Sequence, residues 1–305
     1  MTTTQTAPVL GQGPRRSATR KRPLTPSCVV VQVLLAVVAL LWFFPMAWAL
    51  FNSFRDYAYT AANGYVSFGG FTLGNYADAW EQGNFSQTMW NSVVITVPAV
   101  LITLFLSSCM AFVLARFSFK FNVTLLGVFV AANLLPPQAL LIPIYRMFRA
   151  LEVPFWVSDS DTLLNSPIGV IAANVAFQTG FCTFVLSNYM KTLPTDIYES
   201  AMVDGASIAR QFWQLTLPLC RPPLAALEQH GRPEELVVHP HRLEGGESGD
   251  KFPVTSSLNN LKGQFFTDYN LLSAGSVIVA VPVLVIFFVL QKQFVAGLTL
   301  GSTKG

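Results

Sequence analysis

Long apolar runs alternate with short polar segments along the whole chain. Five of these runs contain no Asp, Glu, Lys or Arg, and they cover residues 28–51, 92–115, 123–145, 167–190 and 272–291. A helix needs roughly 20 apolar residues to cross a bilayer, because each residue rises only about 1.5 Å. A segment in lipid must also satisfy its own backbone hydrogen bonds. The pattern therefore predicts an all-α, polytopic helical membrane protein with five transmembrane helices.

The composition agrees with a membrane location. Of the 305 residues, 52% are hydrophobic and only 11% are charged, a balance too apolar for a water-soluble domain. The net charge of +3 comes from scattered basic residues, which argues against nucleic acid as a partner. The four cysteines lie in or beside apolar runs and form no C-x-x-C pair, so we predict free thiols with no disulfide and no metal site.

The distribution of basic residues predicts the orientation. Five Lys and Arg residues lie between positions 15 and 22, before the first apolar run. Counted alternately from there, the segments predicted inside hold ten Lys and Arg up to Pro222, and those predicted outside hold three. Because short basic loops stay in the cytoplasm, we expect a cytoplasmic N-terminus. Residues 1–26 have no apolar period and read as a disordered cytoplasmic tail, which leaves residues 27–305 as the membrane domain.

The long segment 52–90, predicted to be external, is rich in aromatic residues. Their spacing is typical of rings that lie at the headgroup level of a membrane, although docking of an external partner would use the same side chains. The residues concerned are Tyr57, Tyr59, Trp80, Phe85 and Trp90.

The cytoplasmic loop 193–222 predicts two short helices. Pro194 suits the first position of a helix that we expect to end near Val203, and Asp196 and Glu199 place negative charge in its first turn. Gly205 then provides the turn, because glycine tolerates left-handed geometry. Ser207 can cap the second helix.

The second helix carries an apolar stripe formed by Ile208, Phe212 and Leu215, and Pro218 marks its end or a kink. Such an exposed stripe between charges is typical of a docking element for a groove on another protein. The scarcity of Lys and Arg argues against a helix lying on lipid headgroups.

This loop resembles a known signature. Glu199-Ser200-Ala201, three residues, Gly205, nine residues and Leu215-Thr216-Leu217-Pro218 are similar to the E-A-A, x3, G, x9, I-x-L-P loop of permease subunits of binding-protein-dependent ABC importers. Ser200 and Leu215 depart mildly from it. The likeness covers most of the chain and points to the maltose-type sugar permeases with six spans. Its further elements are Phe44-Pro45, Asn75-Tyr76, Trp80, Asn91-Ser92, Ala115-Arg116, Pro136, Ile142-Pro143, Asp204-Gly205-Ala206 and Gly297-Leu298-Thr299-Leu300-Gly301.

The resemblance implies half of a sugar translocation pathway in a bacterial cytoplasmic membrane. The implied partners are a second permease subunit, two ATPase subunits, an extracytoplasmic sugar-binding protein and membrane lipid. The implied ATPase-coupling residues are Glu199, Ala201, Asp204, Gly205, Ala206, Phe212, Leu217 and Pro218. This chain contains no G-x-x-x-x-G-K-[ST] motif, so we expect no enzymatic activity and no cofactor of its own, with ATP bound by the partner ATPase.

Four polar residues inside the predicted spans are candidates for a substrate path. Polar groups are costly in lipid unless they pair with one another or face a cavity, and pairing between helices would explain them equally. The candidates are Asn133, Gln138, Asn174 and Gln178, of which the last two share a helical face. Pro136, Pro137 and Pro143 predict a broken or kinked third span.

One segment contradicts the resemblance. Relatives have a fifth span after the coupling loop, but the polar segment 226–247 replaces it, with seven charges among residues 228–247. Each charge would cost about 2.5–3.5 kcal/mol at the centre of a membrane. Without that crossing, the final span would place Lys292 and Lys304 outside.

We hypothesise that residues 226–247 were read in a wrong frame or from rearranged DNA, and that the chain as written does not support transport. An inserted regulatory or metal-binding loop with His239 and His241 is the alternative. Two other functions also remain open: an ABC permease for a non-sugar solute, and a non-transporting or defective membrane remnant.

Overall fold

The computed structural model describes residues 26–154, 158, 161–164, 166–228, 253–263 and 266–299, without the side chains of residues 137, 138, 290 and 292–299. The predicted tail up to residue 25 and most of the polar segment 226–247 lie outside these residues. The chain divides into two units, residues 1–48 and 49–305. In the first unit, the side chains of residues 26–45 are exposed and contain no charge.

Four helices in the described part of the chain are long and apolar enough to cross a membrane. They are α1 (Pro26–Ser53), α4 (Phe85–Arg116), α7 (Pro167–Met190) and α13 (Tyr269–Thr299). They correspond to the first, second, fourth and fifth predicted spans. The all-α class is confirmed.

The third predicted span, 123–145, is not one helix. It forms α5 (Asn122–Asn133) and α6 (Pro137–Ala150), separated by residues 134–136. Pro136 has an extended backbone with φ −65° and ψ 127°, as expected for a residue that precedes a proline. Pro137 then begins the next helix, where its missing N–H costs nothing. The predicted break is confirmed, and the single helix over 123–145 is corrected to two shorter ones.

Helices α4 and α7 form the central pair. Ser107 Oγ of α4 donates a hydrogen bond of 3.2 Å to the Thr179 carbonyl of α7. The C-terminal ends of both helices reach one core with α11 (Arg221–Glu228) and the loop between α7 and α11. Parallel packing therefore brings both helix ends to the predicted coupling loop.

The opposite end of α4 belongs to a second core with α3 (Gly74–Gln82), the 3-10 turn Leu258–Leu261 and the start of α13. Asn270 is fully buried there and accepts a hydrogen bond of 3.0 Å from Thr60 Oγ1 of α2 (Tyr57–Asn63). It also donates one of 3.0 Å to the Asn52 carbonyl in the last turn of α1. This network joins α13, α2 and the end of α1. The short helix α12 (Val254–Ser257) completes this side, where the Val254 N–H donates to Ser92 Oγ.

Candidate functional site: the coupling loop and a cleft between the spans

The first helix of the coupling loop, α8, covers Asp196–Val203 and ends at the predicted residue. The Gly205 N–H donates to the Met202 carbonyl at 3.0 Å, and the Ala206 N–H donates to the Ala201 carbonyl at 2.9 Å. This pair of bonds is the Schellman arrangement, which requires a left-handed residue after the helix. Gly205 has a φ of +74°, so the predicted turn is confirmed.

The second helix begins at the predicted cap. Ser207 Oγ accepts a hydrogen bond of 3.3 Å from the Arg210 N–H. The helix then runs through α9 (Ile208–Arg210), a π-helical segment (Gln211–Thr216) and α10 (Leu217–Leu219). It ends one residue after Pro218, which the sequence predicted to mark its end or a kink.

The prediction that the apolar stripe forms a single exposed face is wrong. Ile208 is 58% exposed, Phe212 is only 7% exposed, and Leu215 is half-buried. A π turn widens the helix relative to the 3.6-residue period, so residues at i and i+4 no longer share one face. The ring of Phe212 instead packs 5.3 Å from the ring of Phe112 in α4.

Two side chains whose contacts the sequence analysis did not predict join α8 to the rest of the protein. Tyr198 is buried, and its hydroxyl is 3.0 Å from Thr216 Oγ1 of the second helix. The guanidinium carbon of Arg116, at the end of α4, lies 3.0 Å from the centre of the Tyr198 ring. Cation–π stacking of this kind stabilises the contact. Tyr198 follows no motif, and only its place one turn after Pro194 on an amphipathic helix could have indicated burial.

A buried thiol completes this core. Cys220, beyond the end of the second helix, is fully buried among Tyr198, Phe212 and the ends of α4 and α7. Burial raises the pKa of the Cys220 thiol to about 12. Because the thiolate is the reactive form, Cys220 is inert while this core is closed.

The opposite face of the loop is open, and we call it the coupling surface: Glu199, Met202, Val203, Asp204, Gly205 and Ile208, all of them exposed. Val203 is 87% exposed at the end of α8. Among the other predicted coupling residues, Ala201, Ala206 and Leu217 are half-buried and Pro218 is exposed, whereas Phe212 is buried. The arrangement presents two carboxylates around an apolar tip on a closely packed base.

A cleft between α4, α7 and α11 contains two of the four candidate path residues. It is lined by Thr103, Asn174, Gln178, Leu227 and neighbouring apolar side chains. Asn174 is 7% exposed and donates 2.8 Å to the Val170 carbonyl of its own helix. The structure therefore brings Asn174 and Gln178 together beside a threonine hydroxyl.

The other two candidates are not in this cleft. Asn133, at the end of α5, donates 2.9 Å to the Phe129 carbonyl and lies against Gly180. Gly180 follows Gln178 by two residues, about 200° around α7, so Asn133 faces another side of that helix. The side chain of Gln138 lies outside the described residues. Among the described residues, no group of three or more His, Cys, Asp and Glu could hold a metal ion.

The external aromatic residues divide between surface and core. Tyr57, Trp80 and Trp90 are exposed, but Phe85 is fully buried in the second core and Tyr59 is half-buried. The predicted surface role of Phe85 is wrong, because its ring fills the space between α3 and α13.

Comparison with known proteins places these features in a family. Residues 104–227, from α4 to α11, match the model of the binding-protein-dependent transport system inner membrane component. The osmoprotective compounds uptake permease protein GgtD of Synechocystis sp. is 30% identical over 285 residues, which cover 90% of this chain and 91% of the relative. The diacetylchitobiose uptake system permease protein NgcG of Streptomyces coelicolor is 29% identical over 265 residues, covering 85% and 83%.

The fold has a solved counterpart. The chain is similar, with a TM-score of 0.68 and 18% identity, to a chain from the crystal structure of a bacterial ABC transporter involved in the import of the acidic polysaccharide alginate. The match covers 91% of this chain and 100% of that one. With the family match and a relative 30% identical over 90% of this chain, the chain belongs to the inner-membrane permease components of binding-protein-dependent transport systems.

Proposed function

We propose that this permease forms half of the translocation pathway of an ATP-driven sugar importer and couples to an ATPase through the coupling surface. The observation that carries the proposal is the contrast between the two faces of the loop. Glu199, Val203 and Asp204 are exposed at its tip, while Tyr198 and Phe212 are buried beneath it. An exposed tip on a fixed base suits a groove on a partner protein.

The base would transmit movement to the spans. Arg116 stacks on Tyr198, and Phe112 packs on Phe212, so both helices of the loop contact the same end of α4. Helix α4 in turn pairs with α7, and the two line the cleft with Asn174 and Gln178. A partner that holds the coupling surface differently in two states would move these spans as a rigid body.

A sugar is the substrate class that we propose, with Asn174 and Gln178 as the first candidates for its path and Asn133 and Gln138 as further candidates. Relatives named for diacetylchitobiose uptake and for melibiose, raffinose and stachyose import support the class. A second permease, two ATPase subunits and an external sugar-binding protein would complete the importer. One similar structure is titled as an alginate transporter in complex with a periplasmic protein bound to an alginate pentasaccharide. ATP would bind to the ATPase subunits, and the N-terminus would lie in the cytoplasm.

The proposal is tested by isolating the tagged chain from bacterial membranes in a mild detergent and identifying the co-purifying proteins by mass spectrometry. We expect an ATPase and a second permease in stable proportion to the chain. A chain that purifies with neither would contradict the proposal. Growth on different sugars before isolation would show which one induces the complex.

A second candidate, a non-transporting remnant, is favoured by the seven charges among residues 228–247. Resequencing codons 215–255 tests it. A frame change that uncovers about 20 apolar residues would restore the expected fifth span. With an intact frame, we expect this chain to fail to restore sugar uptake in a strain that lacks its own permease, and restored uptake would exclude the remnant.

A further inference from the structure

An unusual arginine organises the loop that follows α1. Arg55 is fully buried, although it has no carboxylate partner among the described contacts. Its guanidinium donates to the carbonyls of Gly64, Tyr65 and Gly69 and to Ser67 Oγ, at 2.6 to 3.3 Å. The same group lies 5.2 Å from the ring of Phe51. Four acceptors inside the loop therefore satisfy the guanidinium, and its charge is not exposed at the protein surface.

Backbone hydrogen bonds also fix the loop. The Asp56 N–H donates to the Gly70 carbonyl, and the Thr72 N–H donates to the Phe54 carbonyl, each at 2.7 Å. Glycine is required at position 70, since a Cβ there would lie 2.5 Å from Cγ of Tyr59. The loop is therefore a fixed structure and not a loose connection.

This fixed loop presents four large apolar side chains outward, which we call the apolar rim. They are Val66, Phe68, Phe71 and Leu73, with exposed fractions of 82%, 80%, 56% and 70%. Residues 57–77 contain no Asp, Glu, Lys or Arg. A rigid, charge-free surface of this kind needs an apolar or interfacial environment.

The position of the rim indicates which environment covers it. The rings of Phe68 and Phe71 pack 6.3 and 6.2 Å from the ring of Phe51, in the last turn of the membrane helix α1. The charge-free run of that helix ends at this point. Trp90 is 64% exposed and lies just before the charge-free run of α4, as Phe51 lies at the end of the run in α1. Aromatic rings at the ends of spans mark the headgroup level.

We propose that the apolar rim inserts into the headgroup layer of the membrane beside the end of α1. Arg55 makes this insertion possible, because it fixes the loop through internal hydrogen bonds and removes its own charge from the surface. The ligand is thus a lipid surface at the level of Phe51, in the last turn of α1. The inference needs only that α1 spans a membrane, so it can stand or fail independently of sugar transport.

Spin-label accessibility in lipid vesicles tests the proposal on the full chain with its co-purifying subunits. Val66→Cys and Phe68→Cys would be made in a Cys28→Ser background. The signal of the background protein, which lacks the new cysteine, would be subtracted to remove the labelling of the other native cysteines. Val66 makes no described side-chain hydrogen bond or ring contact, so its replacement leaves the loop intact. Glu81→Cys is the matched control, an exposed charged position in α3.

We expect the ratio of collisions with dissolved oxygen to collisions with a water-soluble nickel chelate to be severalfold higher at the rim labels than at the Glu81 label. Two results would overturn the proposal. Chelate access equal to that at Glu81 would place the rim in water, and exclusion of both reagents would mean that a protein partner covers it. Neither readout requires a functioning transporter.

Discussion

The burial of Phe212 makes a quantitative prediction about the base of the coupling loop. Replacement of Phe212 by Ala removes a 7%-exposed ring from the core that it shares with Phe112, Tyr198 and Cys220. A buried Phe covers about 150–250 Å², and a large-to-small change of this kind costs about 3–5 kcal/mol. We expect this lost free energy to destabilise the local core, so that the loop separates more often from the ends of α4 and α7.

Cys220 reports this opening, because its fully buried thiol reacts only when the core opens. A free-energy loss of about 3–5 kcal/mol raises the open population by about 100-fold to several thousandfold. The maleimide-labelling rate of the Cys220 peptide, followed by mass spectrometry, should rise by the same factor in Phe212→Ala.

The neighbouring Trp213 provides the matched control. It is a larger aromatic residue but is 56% exposed, so Trp213→Ala should cost about 1–2 kcal/mol and raise labelling only about 5- to 30-fold. Equal Cys220 labelling rates in the two variants would refute the assignment of Phe212 as the anchor of the loop.

Three further predictions concern the coupling turn, the buried Asn270 and the loop that follows α1. Gly205→Ala adds a Cβ at φ +74°, a cost of about 1–2 kcal/mol, so the dissociation constant for the ATPase should rise about 5- to 30-fold in a binding titration. Gly205→Asn should change it by less than about threefold, and equal effects would contradict the turn geometry. Asn270→Ala removes two hydrogen bonds of a fully buried side chain, with Thr60 Oγ1 and with the Asn52 carbonyl, and should cost about 1–3 kcal/mol, measured as a lower unfolding temperature in detergent. Gly70→Ala drives a Cβ into Tyr59, whereas Gly64→Ala, also at positive φ, meets no atom within 4 Å. Limited proteolysis should therefore cut the loop faster in the Gly70 variant, and equal rates would argue against the fixed loop.

Local signals in the sequence predicted the coupling loop well. Asp196, Gly205 and Ser207 each act within one helical turn, and the end of α8, its terminating turn and the cap of the next helix all agree with them. The start of α8 lies two residues after Pro194, the predicted first position. The apolar runs likewise predicted four spans, and adjacent prolines predicted the break in the third. Caps, turns and proline restrictions depend on neighbouring residues, so a single sequence contains them.

The parts that the sequence analysis missed depend on packing between distant residues. Phe212 has the spacing of an exposed stripe, but a π turn and the approach of Phe112 bury it. Arg55 reads as an ordinary external charge until the loop folds around it. Asn133 and Asn174 are both polar residues within apolar runs. Only the packing of α5 on α7 shows that Asn174 lines the cleft and that Asn133 does not. Periodicity alone contains none of these contacts.

The most direct test of the account is the effect of charge reversal at Glu199 on retention of the ATPase. The exposed carboxylate of Glu199 lies on the coupling surface, upstream of the polar segment, so docking can be measured whatever the status of residues 226–247. Glu81→Lys, the same change at an exposed position in the predicted external segment, is the control. We predict that the chain and Glu81→Lys retain the ATPase through purification, whereas Glu199→Lys loses most of it. Equal retention by both variants would contradict coupling through this loop.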